Sequence, residues 1–187
     1  FHFGMSGFFK YFKSLKDDSP HDRLRFDFNN GYHLAYDSQR KLGMISLIED
    51  KNAFLNKLKL GPDVLAADFT YQQFENMLKK KKGYLKSALM NQALMAGIGN
   101  IYSDEILFQA GVHPQTKLDQ LNTQDLNRVY KSIKQVLQTA IDSHADPQKM
   151  PENFLLPHRK IEATCPKCST RIEDLKISGR TAYFCPK

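Results

Sequence analysis

Between residues 1 and 48, apolar and polar side chains alternate in four short runs: Phe8 to Phe12, Arg23 to Phe28, Tyr32 to Tyr36 and Leu42 to Ile48. Turn-rich stretches separate them, at Asp17 to Pro20 and at Asn29, Asn30, Gly31. A period of two puts successive side chains on opposite faces of a pleated strand, so the pattern predicts an antiparallel meander. After Gly61, Pro62 and Asp63 the period lengthens. Thr70 is placed to cap a helix reaching about Lys80, and Leu85 to Ala96 and Ile101 to Gln109 carry apolar residues at helical spacing. A long helix follows from Asp125 to Ser143, with its cap expected at Thr123. Pro147, Pro151 and Pro157 forbid one continuous helix over residues 145–163. The period of two returns at Asp174 to Ile177 and Thr181 to Phe184, with a turn at Ser178 and Gly179.

These elements predict an α+β chain: strands over 1–50, a connector over 51–70, a helical domain over 71–160 and a terminal hairpin over 161–187. With 41% hydrophobic residues in 187, the chain has material for a packed core. It contains no apolar run long enough for a membrane helix. The expectation is a soluble, cytoplasmic protein without a membrane partner, and a formal charge of +7 suits a polyanion.

Cys165 and Cys168 form a CxxC pair, and Cys185 follows after sixteen residues. Two such turns can aim thiolates at one tetrahedral ion, and the spacing marks a structural zinc site. The fourth cysteine of such a ribbon would fall one residue beyond Lys187, so the chain reads as cut. Its first strand, beginning abruptly at Phe1, gives the same expectation for the other end.

Gly97 and Gly99 break one helix and Asn100 opens the next, presenting backbone N–H groups at a tight corner suited to phosphate. An ordinary helix hairpin with a glycine turn would look the same. The corner's neighbours carry more: LK, NQ, GIGNIYSDEIL, AG and HP occur in order from Leu85 to Pro114. This series resembles the helix-two-turns-helix motif of the formamidopyrimidine-DNA glycosylase and endonuclease VIII family. HFGMSG at His2 to Gly7, the loop Arg40, Lys41, Leu42, Gly43, and Gly179, Arg180, Thr181 before FCPK resemble three further family segments.

The resemblance implies a remnant of an antiparallel β-sandwich domain, a helix-two-turns-helix domain and a zinc ribbon. It implies a base-excision repair glycosylase, acting as a monomer on damaged double-stranded DNA and cutting abasic sites as a lyase. Asn100 and Arg180 would grip phosphates, with Gly99, Tyr102, His2 and Lys86 as further DNA contacts. Lys86 is equally a candidate surface lysine, and Arg180 a candidate solvated turn residue. Met5, Arg40 and Leu42 match the trio that fills the void left by an extruded base; Met5 and Leu42 could instead be core. The sequence departs from the family at Leu42, where an aromatic is usual, and at Gln39, where a proline is. It also lacks, between Ser143 and Cys165, the serine- and threonine-bearing loop of members specialised for 8-oxoguanine. Oxidised or ring-opened purines are the expected lesions. The family's nucleophile, the amine of an N-terminal proline followed by glutamate, is absent here, so these residues alone are expected to be inactive. A non-catalytic paralogue that binds damaged DNA and an RNA-associated module are the competing readings.

Overall fold

The computed structural model describes all residues from Phe1 to Lys187. The chain divides into two compact units, Phe1–Phe54 and Leu55–Lys187.

The N-terminal unit is a three-stranded sheet of β1 (Phe8–Phe12), β2 (Asp22–Asp27) and β3 (His33–Asp37). The order is β1-β3-β2, with both outer strands antiparallel to β3. This corrects the meander, in which β2 would lie in the centre. The reason is visible in the side chains. β3 carries Ala35, Tyr36 and Asp37, all buried, whereas β2 alternates Asp22, Arg23, Arg25 and Asp27 and takes the edge. One face of the sheet gathers Phe9, Phe26 and Tyr36, joined by Phe1 and Phe3 in edge-to-face contacts such as Phe1 to Phe9 at 4.9 Å.

The fourth expected strand, Leu42 to Ile48, does not form. Only Met44 pairs, exchanging two backbone hydrogen bonds of 2.8 Å with His2. Lys41 adopts a left-handed φ of 52°, and the chain then passes across the tip of Tyr36, where a Cβ on Gly43 would run into the tyrosine hydroxyl. The segment thus lies over a side chain of β3 instead of along a strand edge. Its alternating apolar residues remain open, Leu47 completely so.

Helix α1 (Lys51–Leu58) occupies part of the expected connector and spans the boundary between the units. It buries no residue, and its weak apolar pattern is why periodicity missed it.

The C-terminal unit is built on α2 (Tyr71–Leu78), α3 (Leu85–Leu89), α4 (Asn100–Ala110) and α5 (Thr123–Asp142). Thr70 and Gln73 form the reciprocal capping box that opens α2. α5 is capped by Asn122, whose side chain accepts from Asp125 N at 2.8 Å, one residue before the expected Thr123. Its stripe of Val129, Ile133, Val136, Leu137 and Ala140 packs with Leu85, Leu89, Ile98, Ile106 and Phe74 into one core. Each fully buried side chain of this kind contributes roughly 1.5–3 kcal/mol.

α3 is shorter than the expected Leu85 to Ala96 helix. Asn91 turns the chain by accepting Ala93 N on its side chain, and Gln92 fastens the next turn by accepting Gly97 N and donating to the Ile98 carbonyl. Residues 145–163 hold two short 3-10 turns, Pro147–Lys149 and Leu156–His158, as the prolines require. Strands β4 (Glu173–Ile177) and β5 (Arg180–Phe184) form a hairpin whose turn places Ser178 and Gly179 at φ 48° and 73°. Two consecutive left-handed residues match the twist of the strands. No helix is long and apolar enough to cross a membrane.

Candidate nucleic-acid interface and metal centre

The corner before α4 is rigid because Gln92 ties its backbone from inside, while Gly97 takes φ 104°, a conformation that favours glycine. Gly99 is different. Its φ of −101° suits any residue, and a Cβ there would stand in open space. Gly99 supplies no side-chain cap, and the first intrahelical bond is Ser103 N to its carbonyl. The N–H groups of Asn100, Ile101 and Tyr102 are therefore left without intrahelical acceptors at the positive end of the helix.

Asn100 is half-buried at this end. Its Nδ2 donates to the Thr181 carbonyl at 3.2 Å, which leaves a second N–H on the same nitrogen, and its Oδ1 is buried without a partner. Thr181 follows Arg180, the exposed first residue of β5. Two segments eighty-one residues apart in sequence thus meet at Asn100.

Lys86 departs from both expectations. It is fully buried, and its Nζ donates to the Asn100 carbonyl at 3.2 Å, Ser103 Oγ at 2.7 Å and Asp104 Oδ1 at 2.6 Å. It is neither a surface lysine nor a solvent-facing phosphate ligand; it holds the first turn of α4 from beneath. Burial lowers its pKa and Asp104 acts against that shift. The other oxygen of Asp104 accepts from Arg159 Nε at 2.9 Å and Tyr183 N at 3.2 Å. Arg159 lies 4.7 Å from the Tyr183 ring centroid and also donates to the Thr181 carbonyl. One buried carboxylate therefore connects α3, α4, the 3-10 turn before Arg159, and β5. Next to it, Glu105 accepts from Leu155 N at 3.1 Å and Leu156 N at 2.7 Å, and burial raises its pKa. Sequence reasoning passed over Asp104, Glu105 and Arg159. The available signal was an acidic pair inside a helix otherwise too apolar to have a wet face.

Tyr102 is half-buried, packs against the helical core and lines a cleft with Leu137 and Ile141 of α5. It is turned to a different neighbourhood from the Asn100 amide.

In the ribbon, the sulfurs of Cys165, Cys168 and Cys185 all lie within 4.8 Å of one another, with Cys168 to Cys185 at 3.4 Å. A tetrahedral zinc with sulfurs at about 2.3 Å spaces them by about 3.8 Å. The three thiols fit three corners of such a site and could hold the ion. Hydrogen bonding with Thr170 draws the Cys168 thiol down to about 6, while burial pushes Cys185 up to about 11. Cys168 thus ionises more readily than Cys185.

In the N-terminal unit, the His2–Met44 pairing brings two loops together. Gly4, at φ 65°, lies against the Leu42 backbone so closely that a side chain would not fit. Arg40 Nη1 stands 3.5 Å from Met5 Sδ. Met5, Arg40 and Leu42 share this loop pair and are all exposed, Met5 at 61% and Leu42 at 52%, so neither apolar residue is core. His2 is exposed, and its Nδ1 accepts from Gly4 N at 3.3 Å.

Comparison with known proteins follows the same divisions. The formamidopyrimidine-DNA glycosylase N-terminal domain matches residues 1–45, the H2TH domain 60–151, and a zinc finger found in FPG and IleRS 164–187. A formamidopyrimidine-DNA glycosylase of Protochlamydia amoebophila is 35% identical, with 99% of this chain and 71% of the relative covered. One from Mycoplasma mobile is 32% identical, with coverages of 100% and 72%. Among solved structures, Lactococcus lactis Fpg in complex with abasic-site DNA superposes with a TM-score of 0.85 at 29% identity, covering 97% of this chain and 71% of that one. MutM in complex with DNA containing carbocyclic 8-oxo-G gives 0.84 at 30% identity, with coverages of 97% and 70%. With its paired loops, its corner and its ribbon matched in order by these three domains, the chain belongs to the formamidopyrimidine-DNA glycosylase family.

Proposed function

We propose that these residues are the DNA-holding part of a repair glycosylase that removes oxidised or ring-opened purines from duplex DNA and cleaves the resulting abasic site. The reading rests first on the convergence at Asn100. Its amide bonds the backbone of Thr181, so the strand that carries the exposed Arg180 meets the N-terminus of α4. Arg presents a planar fork suited to phosphate oxygens, and the unused N–H groups of α4 add donors with no charge of their own. The open space at Gly99 leaves the phosphate an approach that a side chain would occupy. His2 is a further candidate phosphate contact.

Taking a base out of the stack costs a few kcal/mol, and an inserted side chain refills the gap. Met5 and Leu42 offer exposed apolar groups for this role, with Arg40 beside Met5. Relatives have been solved with abasic-site DNA and with DNA containing FAPY-dG, which supports a purine lesion as substrate. The ribbon cysteines would hold zinc, whose part is to keep the hairpin that carries Arg180 folded. The protein acts as a monomer in the cytoplasm.

The chemistry of the family, attack by an N-terminal proline amine and β-elimination, has no counterpart among residues 1–187. Residues 1–187 should bind duplex containing an abasic analogue more tightly than intact duplex or structured RNA at matched salt. They should form no borohydride-trapped adduct, whereas protein carrying the family's Pro–Glu start should be trapped. Equal affinity for intact and abasic duplex would overturn the binding assignment, and trapping by residues 1–187 would overturn the assignment of the nucleophile.

A further inference from the structure

α2 ends at Leu78, and four consecutive lysines, Lys79 to Lys82, follow it, all exposed. None of them lies in an ion pair. They form one wall of a cleft of about 600 Å³ whose opposite side is the segment Leu118 to Thr123 and the start of α5. The floor between is apolar, made by Leu78, Leu118, Leu121 and Leu126. The two walls are laced by backbone hydrogen bonds, Leu118 N to the Gly83 carbonyl at 3.0 Å and Leu85 N to the Thr116 carbonyl at 2.9 Å, so the cleft is built into the fold.

The acidic groups nearby do little to neutralise it. Glu75 is engaged by the Tyr71 hydroxyl and by Gln72, and Asp125 by Arg128. Asp119 is the remaining carboxylate of the lining. The cleft also stands apart from the Asn100 corner along α5. Leu137 and Ile141 lie beside Tyr102 near the corner, whereas the cleft is at Thr123, about 20 Å away at the helical rise.

We propose that this cleft docks an acidic peptide segment of a partner protein, with an apolar side chain on the leucine floor and carboxylates along the lysine run. A nucleic-acid backbone would satisfy the lysines but has nothing to place on the leucines, whereas an acidic segment with one or two apolar anchors complements both. Exposed ion pairs are individually weak, so binding is weak, salt-sensitive and anchored by the apolar residue.

The test is fluorescence anisotropy of a labelled peptide, Asp-Glu-Asp-Glu-Leu-Phe, titrated with residues 1–187 at low and at high salt. Saturable binding is expected, weakened roughly tenfold by Lys80→Glu with Lys81→Glu. It should also weaken when Ser-Ser replaces Leu-Phe in the peptide. Both lysines are exposed, so the double variant should melt with the parent; Lys79→Gln with Lys82→Gln is the milder pair if it does not. Absence of saturable binding overturns the proposal. Equal binding of the Ser-Ser peptide overturns the leucine floor. Lysine variants that lower duplex DNA affinity and leave peptide binding unchanged assign the run to DNA and overturn it as well.

Discussion

In the N-terminal unit Phe1, Phe3, Phe9 and Phe26 gather around Tyr36, yet all four remain 37–54% exposed. In the C-terminal unit Lys86, Asp104 and Glu105 are no more than 2% exposed. One region shows hydrophobic side chains to solvent and the other takes charges inside. Burying charge opposes a transfer preference, and both regions are where the candidate functional groups are mounted. The exposed pair Met5 and Leu42 sits on backbone loops fixed by Gly4 and Gly43, so its side chains need no packing to hold their place. Asn100 and Arg180 are set by a buried ionic centre that fastens the elements beneath them. These are two ways of aiming a side chain: a stiff loop for the groups proposed to enter DNA, and a buried charge for the groups proposed to hold it.

The largest expected effect strikes the buried centre. Asp104→Ala leaves Lys86 and Arg159 without their carboxylate and should cost about 3–5 kcal/mol in urea unfolding of the C-terminal unit. A loss below about 1 kcal/mol would erase the contrast between the units. Arg180→Ala should leave stability within about 0.5 kcal/mol while lowering the log–log salt slope of duplex binding by about 0.9, one phosphate contact. An unchanged slope would make Arg180 a solvated turn residue. Met5→Ala with Leu42→Ala should change unfolding by less than about 0.5 kcal/mol, because both side chains are open, and should reduce the preference for abasic over intact duplex. A destabilised sheet with intact preference would return both residues to the core.

The smallest effect concerns Glu105. Burial raises its folded pKa above the ordinary 4.5, so the folded state holds that proton more tightly than the unfolded state. The associated stability is full below the ordinary carboxylate range and is lost as pH rises through the raised value. Glu105→Gln should remove this decline from a plot of melting temperature against pH; an identical plot would show that the bonds from Leu155 N and Leu156 N offset the desolvation.

The parts of the fold legible in the sequence were those that local chemistry specifies. The Thr70 cap, the prolines at 147, 151 and 157 and the hairpin turn at Ser178 and Gly179 act within a few residues of themselves, whereas the helix expected to run to the glycines stops at Leu89, where Asn91 and Gln92 turn the chain. Strand order was not legible, because alternation at Leu42 to Ile48 matches that of a paired strand and reveals nothing about where a partner edge lies. The site divided along the same line. The cysteine spacing was readable, and the corner and its Arg180 counterpart were recognised by resemblance. The burial of Lys86 was not foreseen, since it depends on Asp104 eighteen residues later and on Arg159 and Tyr183 far beyond. A lysine at a helix start looks the same from the sequence whether water or a carboxylate waits for it.

The reach of the Asp104 contacts also bears on how the protein assembles. Its partners lie 18, 55 and 79 residues away along the chain. The Lys86 contact closes a short loop and can form with the α3–α4 pair, whereas the Arg159 and Tyr183 contacts close long ones and are entropically slower. During synthesis Asp104 and Lys86 emerge together, with one carboxylate oxygen still awaiting donors that have not been made. Until Arg159 and then the ribbon dock, that oxygen has only water to satisfy it, so the helical corner exists before the hairpin that completes it. Assembly of the Asn100–Thr181 junction is thereby tied to the arrival of the hairpin, and a ribbon that fails to fold strips Asp104 of its Tyr183 donor and Asn100 of its Thr181 acceptor.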